Sequence, residues 1–369
     1  MASSLFDRAL WRSTRQIYLL SRRAFARRRA AALDLAANVE RILLVRTDRI
    51  SDAVISTAFF KALRGRFPDA QIDIVLGRKN GAAAALLPYL DGVFVAQKNL
   101  IEQARLIRQL RERRYDLAID MLTGDSMTAA AYAVLSGADV TIGFDGKAAG
   151  LYDVAIAQPA EPEHQAVRTL RLIAPLDLTV KPEDARTAVV FPPSAADRIR
   201  ETLFPSGRNG EKLVVVNLSA DPARSWSDEN FIRLIADIKS PSVRVALMSA
   251  PQDLARLETI GQAAGVEGLP PSVGLSEAAA ALSCADLVVS PQTSIVHIAA
   301  ALGKPVVTLT AAKGDRHPYR HPWGVPYRAL HGAACVADIP YDEVLSAVRE
   351  LMTETGVAKQ APSTDGISP

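Results

Sequence analysis

Short apolar runs alternate with amphipathic segments along the chain from residue 41 onward. In the first half this pattern predicts strands over 41–47, 71–77, 93–96, 117–122 and 140–144, with helices over 51–67, 100–114 and 126–136. The alternation restarts with strands over 212–219, 243–249, 286–290 and 305–310 and helices over 227–239, 276–285 and 294–303. Apolar strands that alternate with helices indicate a parallel sheet covered on both faces. Two such series predict two α/β domains in tandem, with ligands bound at the carboxyl ends of the strands.

The domain boundaries follow from where this alternation begins and restarts. Five prolines between about 175 and 211 predict a linker there. We therefore expect an N-terminal segment over 1–40, a first domain over 41–185 and a second over 186–356. The remaining residues, 357–369, have the composition of a disordered tail.

Composition excludes several classes of protein. The chain has 369 residues, of which 49% are hydrophobic and 22% charged, as in globular proteins. The two cysteines, Cys284 and Cys335, exclude a disulfide scaffold and fit a reducing compartment. No apolar run approaches the ~20 residues that a membrane-spanning helix needs.

The N-terminal segment is strongly basic. Residues 1–29 contain eight arginines and one acidic residue, Asp7. At helical spacing, Arg8, Arg15, Arg22 and Arg29 form one stripe opposite Phe6, Leu10 and Ile17. A basic stripe opposite an apolar one favours a helix lying on an anionic membrane surface. A helix packed on its own domain, a transit peptide and a nucleic-acid-binding segment are the alternatives.

Common catalytic motifs are absent from the sequence. It contains no GxGxxG, P-loop or GxSxG motif. His317 and His321 are four residues apart, but the neighbouring prolines oppose a helix that would present both to a metal. We expect neither a metal nor a cofactor. Asp48 and Asp52 follow the first strand, where either could simply cap the next helix. Thr293 and Ser294 begin a later helix, where they could act as caps or bind a phosphate.

Five segments carry a resemblance to a known family, in the family's own order. They are ILLVRTDRISDAVISTAFFKALRGRFPDAQIDIV (42–75), YDLAIDMLTGDSMTAAAYAVLSGADVTIGFD (115–145), HQAVRTLRLIAPLDL (164–178), VNLSADPARSWSDENFIRL (216–234) and ADLVVSPQTSIVHIAAALGKPVVTL (285–309). Through them the chain resembles glycosyltransferase family 9, the ADP-heptose:lipopolysaccharide heptosyltransferases, over roughly residues 41–350. The resemblance implies a GT-B fold, in which two Rossmann-like parallel-sheet domains face a central crevice, here preceded by the basic N-terminal helix.

The resemblance also assigns roles to particular residues. Asp52 occupies the position of the family's acidic base, and Arg224 the basic position that would neutralise the departing diphosphate. The nucleotide sugar would be held in the second domain by Ser219, Gln292, Thr293, Ser294 and His297. Arg78 and Lys79, after the second strand, would hold an anionic acceptor or form a solvated basic turn.

The resemblance implies an inverting glycosyltransferase on the inner face of the cytoplasmic membrane. It would transfer a heptose-like sugar from a nucleoside diphosphate, with ADP-heptose favoured, to a lipid-linked saccharide such as the lipopolysaccharide core. Two positions depart from the family pattern, because Ser51 replaces a glycine and Gln292 replaces an acidic residue. These departures leave a second hypothesis, a non-catalytic GT-B module that binds a saccharide or a protein partner. No nucleic-acid partner is expected.

Overall fold

The computed structural model describes residues 39–97, 99–124, 126–146, 148–219, 224–269, 274–311 and 319–357. The predicted tail beyond 357 and all but the last two residues of the predicted N-terminal helix lie outside the described residues. The described chain divides into two compact units. The first holds the residues up to Ala84 and those from Tyr89 to Asp184, and the second holds Ala85–Pro88 and the residues from Ala185 onward.

The first unit is built on a sheet of six parallel strands. They are β1 (Arg41–Arg46), β2 (Gln71–Leu76), β3 (Gly92–Val95), β4 (Leu117–Asp120), β5 (Val140–Phe144) and β6 (Val154–Ile156). Their order across the sheet is β3-β2-β1-β4-β5-β6. The central strand β1 pairs in parallel with both β2 and β4, so that Ile42 lies beside Ile72 and Leu117. Burial on both faces of β1 explains its uninterrupted apolar sequence.

Helices cover this sheet. They are α1 (Ile50–Ile55), α2 (Thr57–Arg66), α3 (Leu100–Arg113), α4 (Met127–Leu135) and α5 (Gln165–Leu170). The prediction of one helix over 51–67 is wrong, because α1 and α2 are separated at Ser56. The Ser56 hydroxyl donates to the carbonyl oxygen of Asp52 at 2.7 Å, a back-bond that bends helices.

The second unit contains a sheet of five parallel strands. They are β7 (Lys212–Asn217), β8 (Val243–Met248), β9 (Leu287–Pro291), β10 (Val306–Ala311) and β11 (Tyr327–Gly332), in the order β11-β10-β9-β7-β8. Its helices are α6 (Pro193–Leu203), α7 (Asp228–Ile238), α8 (Leu254–Ala264), α9 (Leu275–Cys284), α10 (Ser294–Ala301) and α11 (Tyr341–Glu354). The core between sheet and helices includes Trp226, which stacks on Tyr341 and meets the edge of Phe231.

The predicted linker over 175–211 is not irregular throughout, because α6 lies within it. Pro193 occupies the first turn of α6, where the missing N–H costs nothing and the fixed φ favours a helix. The buried side chains of Ala195, Ala196 and Leu203 hold this helix on the second unit. Among the described helices, none has the length and hydrophobicity needed to cross a membrane.

Candidate active site

The strand order of the first sheet reverses between β1 and β4. Ligands of open α/β sheets bind outside the carboxyl ends of the strands at such a reversal. Asp48 and Asp52 follow β1, and Asp120 is the last residue of β4. Three carboxyl groups therefore meet at the edge of the sheet where the fold favours a ligand.

Arg46, the last residue of β1, contacts two of these carboxyl groups. Its side chain is fully buried, and its guanidinium donates to the carbonyl oxygen of Met121, just after β4. Arg46 Nε lies 3.3 Å from Asp48 Oδ1, and Arg46 Nη2 lies 3.6 Å from Asp52 Oδ1. The Asp52 side chain is fully buried, whereas that of Asp48 is 26% exposed. Buried charges persist in a folded protein when they are paired, and Arg46 pairs with Asp52 inside the fold.

Asp120 completes the buried cluster. Its Oδ2 accepts a hydrogen bond from the Tyr152 hydroxyl at 2.7 Å, and its Oδ1 accepts one from the Leu122 amide at 3.0 Å. Burial raises the pKa of Asp120 to about 6, while the hydrogen bonds and Arg46 act in the opposite direction. Burial and the neighbouring Asp120 charge raise the pKa of the Tyr152 hydroxyl, so Tyr152 remains a donor at neutral pH.

Arg78 and Lys79 lie in the turn after β2, at the same edge of the sheet, and both side chains are exposed. Asn80 fixes this turn, because its Oδ1 accepts from the Gly77 amide at 2.7 Å and its Nδ2 donates to the Arg46 carbonyl at 2.8 Å. The two exposed cations are thus anchored beside the end of β1.

The second sheet reverses its strand order between β7 and β9. Asn217, the last residue of β7, bridges this reversal by donating to Ser290 Oγ of β9 at 2.9 Å. Its side chain also contacts the backbone of Ser219, and the Ser219 hydroxyl accepts from the Ala250 amide at 2.6 Å. Ser219 and the 292–294 turn, which follow these two strands, therefore occupy the ligand-favouring position of this unit.

The turn after β9 leads directly into α10. Thr293 is the N-cap, and its hydroxyl accepts from the Ile295 amide at 3.3 Å. Ser294 opens the helix, where unpaired backbone N–H groups and the helix dipole favour an anion. Gln292 Nε2 donates to the Arg320 carbonyl at 3.4 Å, which ties the turn to the segment before β11.

His297 lies one turn into α10 and is only 4% exposed. Burial lowers the pKa of His297 to about 3, and the positive charges of Arg320 and His321 act in the same direction. The imidazole is therefore neutral at physiological pH. The ring of His321 stacks on the ring of Tyr327, with centroids 5.0 Å apart.

Arg224 has an exposed side chain and lies two residues before the buried Trp226. The Trp226 indole donates to the Ile339 carbonyl at 3.1 Å. Arg256 donates to the carbonyl oxygens of Leu218 and Trp226 at 2.9 and 3.0 Å, which joins the end of this segment to the residue after β7. The structure thus holds Trp226 in the core and leaves Arg224 open to solvent.

Sequence analysis assigned no role to Arg46, Asp120, Tyr152 or Asn217. Arg46, Asp120 and Asn217 could have been found, because each is a charged or amide residue at the end of an apolar strand. Tyr152 had no such signal, since it reaches Asp120 across 32 positions of sequence.

Ser51, which replaces the family's glycine, lies in α1, where any residue adopts the backbone conformation. In the described parts of the chain, no cluster of three or more His, Cys, Asp or Glu side chains could hold a metal ion.

Comparison with known proteins places this geometry in context. The model of glycosyltransferase family 9 (heptosyltransferase) matches residues 103–335. Lipopolysaccharide heptosyltransferase 3 of Escherichia coli is 24% identical over 289 residues, covering 74% of this chain and 83% of that protein. The crystal structure of a family 9 glycosyltransferase from Veillonella parvula has a TM-score of 0.71 at 17% identity, covering 88% of this chain and 99% of that one. E. coli heptosyltransferase WaaC with ADP-2-deoxy-2-fluoro heptose has a TM-score of 0.67 at 20% identity, covering 85% and 99%.

These likenesses define the class first: two parallel-sheet α/β domains of the GT-B glycosyltransferase fold. The family follows from the match over more than half of the sequence. The chain belongs to glycosyltransferase family 9 and is a heptosyltransferase-like enzyme. The comparisons do not favour the non-catalytic module.

Proposed function

We propose that this enzyme transfers a heptose-like sugar from a nucleoside diphosphate, ADP-heptose being favoured, to a lipid-linked saccharide such as the lipopolysaccharide core. The relative from E. coli bears the name lipopolysaccharide heptosyltransferase 3, and the WaaC structure contains an ADP-linked heptose analogue. The observation that carries the proposal is the buried Asp52 carboxylate 3.6 Å from Arg46 at the strand reversal of the first unit.

Asp52 is the proposed general base. Its carboxylate takes the proton of the acceptor hydroxyl while that oxygen forms a bond to the anomeric carbon. The bond between the anomeric carbon and the diphosphate breaks, and the electron pair leaves with the nucleoside diphosphate. Attack from the opposite side inverts the anomeric centre. Asp48, which is more exposed and lies 3.3 Å from the same guanidinium, is the rival base.

The second unit is proposed to hold the donor. Ser294 and the first amides of α10 suit a phosphate, and Arg224 would neutralise the charge that develops on the leaving diphosphate. Ser219 and Thr293 can each still donate a hydroxyl proton after accepting their backbone bonds. The neutral, buried His297 would contribute a hydrogen bond rather than a charge. Gln292 would contact a sugar or ribose hydroxyl.

The acceptor and location complete the proposal. Arg78 and Lys79 are exposed cations beside the end of β1, which suits an anionic saccharide. The basic segment 1–30 would hold the enzyme on the anionic inner face of the cytoplasmic membrane.

Deleting residues 1–35 should abolish binding to anionic vesicles and leave transfer to a soluble acceptor fragment unchanged. Equal vesicle binding by both proteins would contradict the membrane assignment.

The donor can be tested without a known acceptor. ADP-, GDP- and UDP-linked sugars are compared for their effect on the melting temperature, since a ligand that binds only the folded state stabilises it. We expect ADP-heptose to give the largest shift, and a larger shift with another nucleotide would overturn the donor assignment. Nucleotide release with a heptose-deficient lipopolysaccharide acceptor then tests transfer.

The base is tested by a matched pair of variants. Asp52→Asn should lower turnover by roughly 10²–10⁴ while keeping the donor-induced shift in melting temperature, because the donor is bound elsewhere. Asp48→Asn removes a carboxyl from the same guanidinium and should retain most of the turnover. The reverse result would make Asp48 the base. Full activity in both variants would contradict catalysis at this carboxyl cluster.

A further inference from the structure

Exposed large hydrophobic side chains are concentrated in one short stretch of the first unit. Among the described residues there are five such side chains, and four of them lie within nine positions of sequence. These four are Val93 (39% exposed), Val95 (37%), Leu100 (43%) and Ile101 (62%). Single exposed apolar residues are ordinary on a protein surface, whereas a cluster of them marks a surface that contacts something.

Three of these side chains lie at one corner of the first sheet. β3 is an edge strand, and Val95 is its last residue. Helix α3 begins with Leu100 and Ile101, and the Asn99 side chain fixes this start because its Oδ1 accepts from the Ile101 amide at 2.8 Å. The three apolar side chains therefore lie at the carboxyl edge of the sheet, which is also the edge at which Asp52 lies.

Two exposed cations adjoin this corner. Arg78 and Lys79 lie in the turn after β2, which is the strand beside β3. Gly81, two residues further on, lies against Val95, because a Cβ built on this glycine would be 3.1 Å from Val95 Cγ1. The basic turn and the apolar residues thus form adjoining parts of one surface. We call this surface the docking corner, and it consists of Arg78, Lys79, Val95, Leu100 and Ile101.

Helix α3 extends the positive charge away from the corner. This helix and the next residue, Arg114, contain five arginines and two glutamates, and all five arginine side chains are exposed. Arg105 follows Ile101 by one helical turn, so it lies on the same face about 6 Å along the axis. The polar layer on each side of a bilayer is roughly 5–8 Å thick. Arg105 therefore lies at the depth of the lipid headgroups when Ile101 reaches the hydrocarbon boundary.

We propose that the docking corner binds an anionic phospholipid bilayer: Leu100 and Ile101 enter the interface, and Arg78, Lys79 and Arg105 are attracted to the lipid phosphates. Apolar side chains beside cations are what peripheral contact with such a membrane requires. The contact would present the edge that carries the proposed base to the membrane that holds the acceptor. This consequence rests on the proposed function, since it takes the acceptor to be lipid-linked, whereas the binding itself is measurable without a substrate.

Charge distinguishes a bilayer from other occupants of the docking corner. The N-terminal segment of the chain has apolar residues, but its eight arginines against one acidic residue would be repelled by the basic corner. A second copy of the chain, pairing through the edge strand β3, would also bring like charges together. An anionic bilayer matches both the apolar and the basic residues. The corner offers few anchors, so alone it binds weakly, and it adds to the affinity of the N-terminal segment.

The first experiment tests whether position 101 contacts lipid. In the full chain with Trp11→Phe, Ile101→Trp adds a fluorophore at the corner. Gln109→Trp adds one at an exposed position of the same helix, about 12 Å further along. Vesicles of phosphatidylglycerol and phosphatidylcholine with brominated acyl chains should quench the fluorescence added at position 101 and leave that added at position 109. Equal quenching at both positions, or none at position 101, would overturn the proposal.

The second experiment measures how much the apolar residues contribute. Leu100→Ser combined with Ile101→Ser should lower the partition of the full chain onto these vesicles by roughly tenfold, because two apolar side chains no longer leave water. Val190→Ser is the control, since it removes an exposed valine of the second unit, and it should bind as the wild type does. Unchanged partition in the double variant, or an equal loss in the control, would overturn the proposal. So would a wild-type dimer that the double variant dissociates, since the occupant would then be a second copy.

The third experiment connects the corner to catalysis. Transfer from ADP-heptose is compared for an acceptor embedded in the vesicles and for a soluble acceptor fragment. The double variant should lose rate with the embedded acceptor and keep the wild-type rate with the soluble one. A loss with both acceptors would make these residues part of the acceptor site and overturn the docking role. A wild type that transfers to neither acceptor would overturn the proposed function, and the vesicle measurements would still decide whether the corner binds lipid.

Discussion

Two arginines lie near Trp226, and their surroundings differ. Arg224 is exposed, whereas Arg256 donates to the carbonyl oxygens of Leu218 and Trp226 and pairs with Asp228 at 2.6 Å. An exposed side chain without packing contributes little to stability, while one that joins two backbone segments contributes more. Substituting Arg224 therefore tests its proposed role in catalysis, whereas substituting Arg256 tests a role in stability.

We expect Arg224→Ala to lower turnover by roughly 10²–10³ and to leave the melting temperature unchanged, because only charge stabilisation of the leaving diphosphate is lost. Arg256→Ala should lower the melting temperature, since two backbone carbonyls lose their donor. Steady-state kinetics and calorimetry of both variants check this. Wild-type kcat in Arg224→Ala would contradict a role in the transition state.

His297 makes stability depend on pH. Its pKa of about 3 in the folded protein lies below the ~6.5 of an exposed histidine, so the unfolded chain binds more protons between these values. Its contribution to stability is fully present above pH 6.5 and is lost as the pH falls. The loss should be about 2 kcal/mol between pH 6.5 and pH 5.

Urea unfolding of wild type and His297→Gln at these two pH values measures this contribution. The variant should show the smaller loss. The wild type and the variant are compared with each other because Asp120 also changes the pH dependence of stability. Its pKa, raised to about 6, makes the folded protein more stable as the pH falls, which opposes the effect of His297. His331→Gln makes the same substitution at an exposed histidine and serves as the comparison variant. Equal losses in His297→Gln and wild type would contradict a buried neutral imidazole.

Among the elements, the turns after β1 and β2 depend on each other. A Cβ built on Gly77 would lie 2.3 Å from the carbonyl oxygen of Thr47, so only glycine permits this approach. Thr47 precedes Asp48, and Asn80 of the second turn donates to Arg46 of the first strand. The turn that carries Arg78 and Lys79 thereby helps to place the carboxyl cluster.

Gly77→Ala should destabilise the protein by about 1–3 kcal/mol and lower turnover, since the backbone around Thr47 must shift. Gly65→Ala is the control, because an added Cβ in helix α2 meets nothing within 4 Å. That change should be neutral or stabilise by up to ~1 kcal/mol. Chemical unfolding and transfer assays compare the two variants. Turnover that is equally preserved in both would mean that the Gly77 turn does not place the site.

At the scale of the whole molecule, the two units can be followed separately. The described tryptophans, Trp226 and Trp323, belong to the second unit, and the remaining tryptophan of the sequence is Trp11. In a Trp11→Phe background, tryptophan fluorescence therefore reports unfolding of the second unit, whereas circular dichroism reports both.

A donor that binds the second unit should stabilise the fluorescence-detected transition. At a donor concentration of 100 times Kd the gain is about 2.7 kcal/mol. The Asp52→Asn variant should show the same gain, since Asp52 belongs to the first unit. Stabilisation seen by circular dichroism but not by fluorescence would place the donor on the first unit instead.

Local sequence determined the repeating architecture. Apolar runs such as 42–45 and 213–216 are buried on both faces, and this alone indicates parallel strands covered by helices. The start of a helix could also be predicted from sequence. Thr293, for example, is a residue type that caps helices and is followed by apolar residues at helical spacing. The edge strands β6 and β11 gave no such signal, since an edge strand has one neighbour and these two are largely half-buried, so they need fewer apolar residues.

Tertiary structure alone decided the composition of the site. The sequence singles out Asp52 as an acidic residue at a helix start, but nothing local distinguishes a cap from a base. The pairing of β1 with β4 brings Asp120 beside Val45, the residue before Arg46, and the fold brings Tyr152 to Asp120 from 32 positions further on. A side chain's basicity depends on burial and on the charges around it, and these arise only when distant segments pack together.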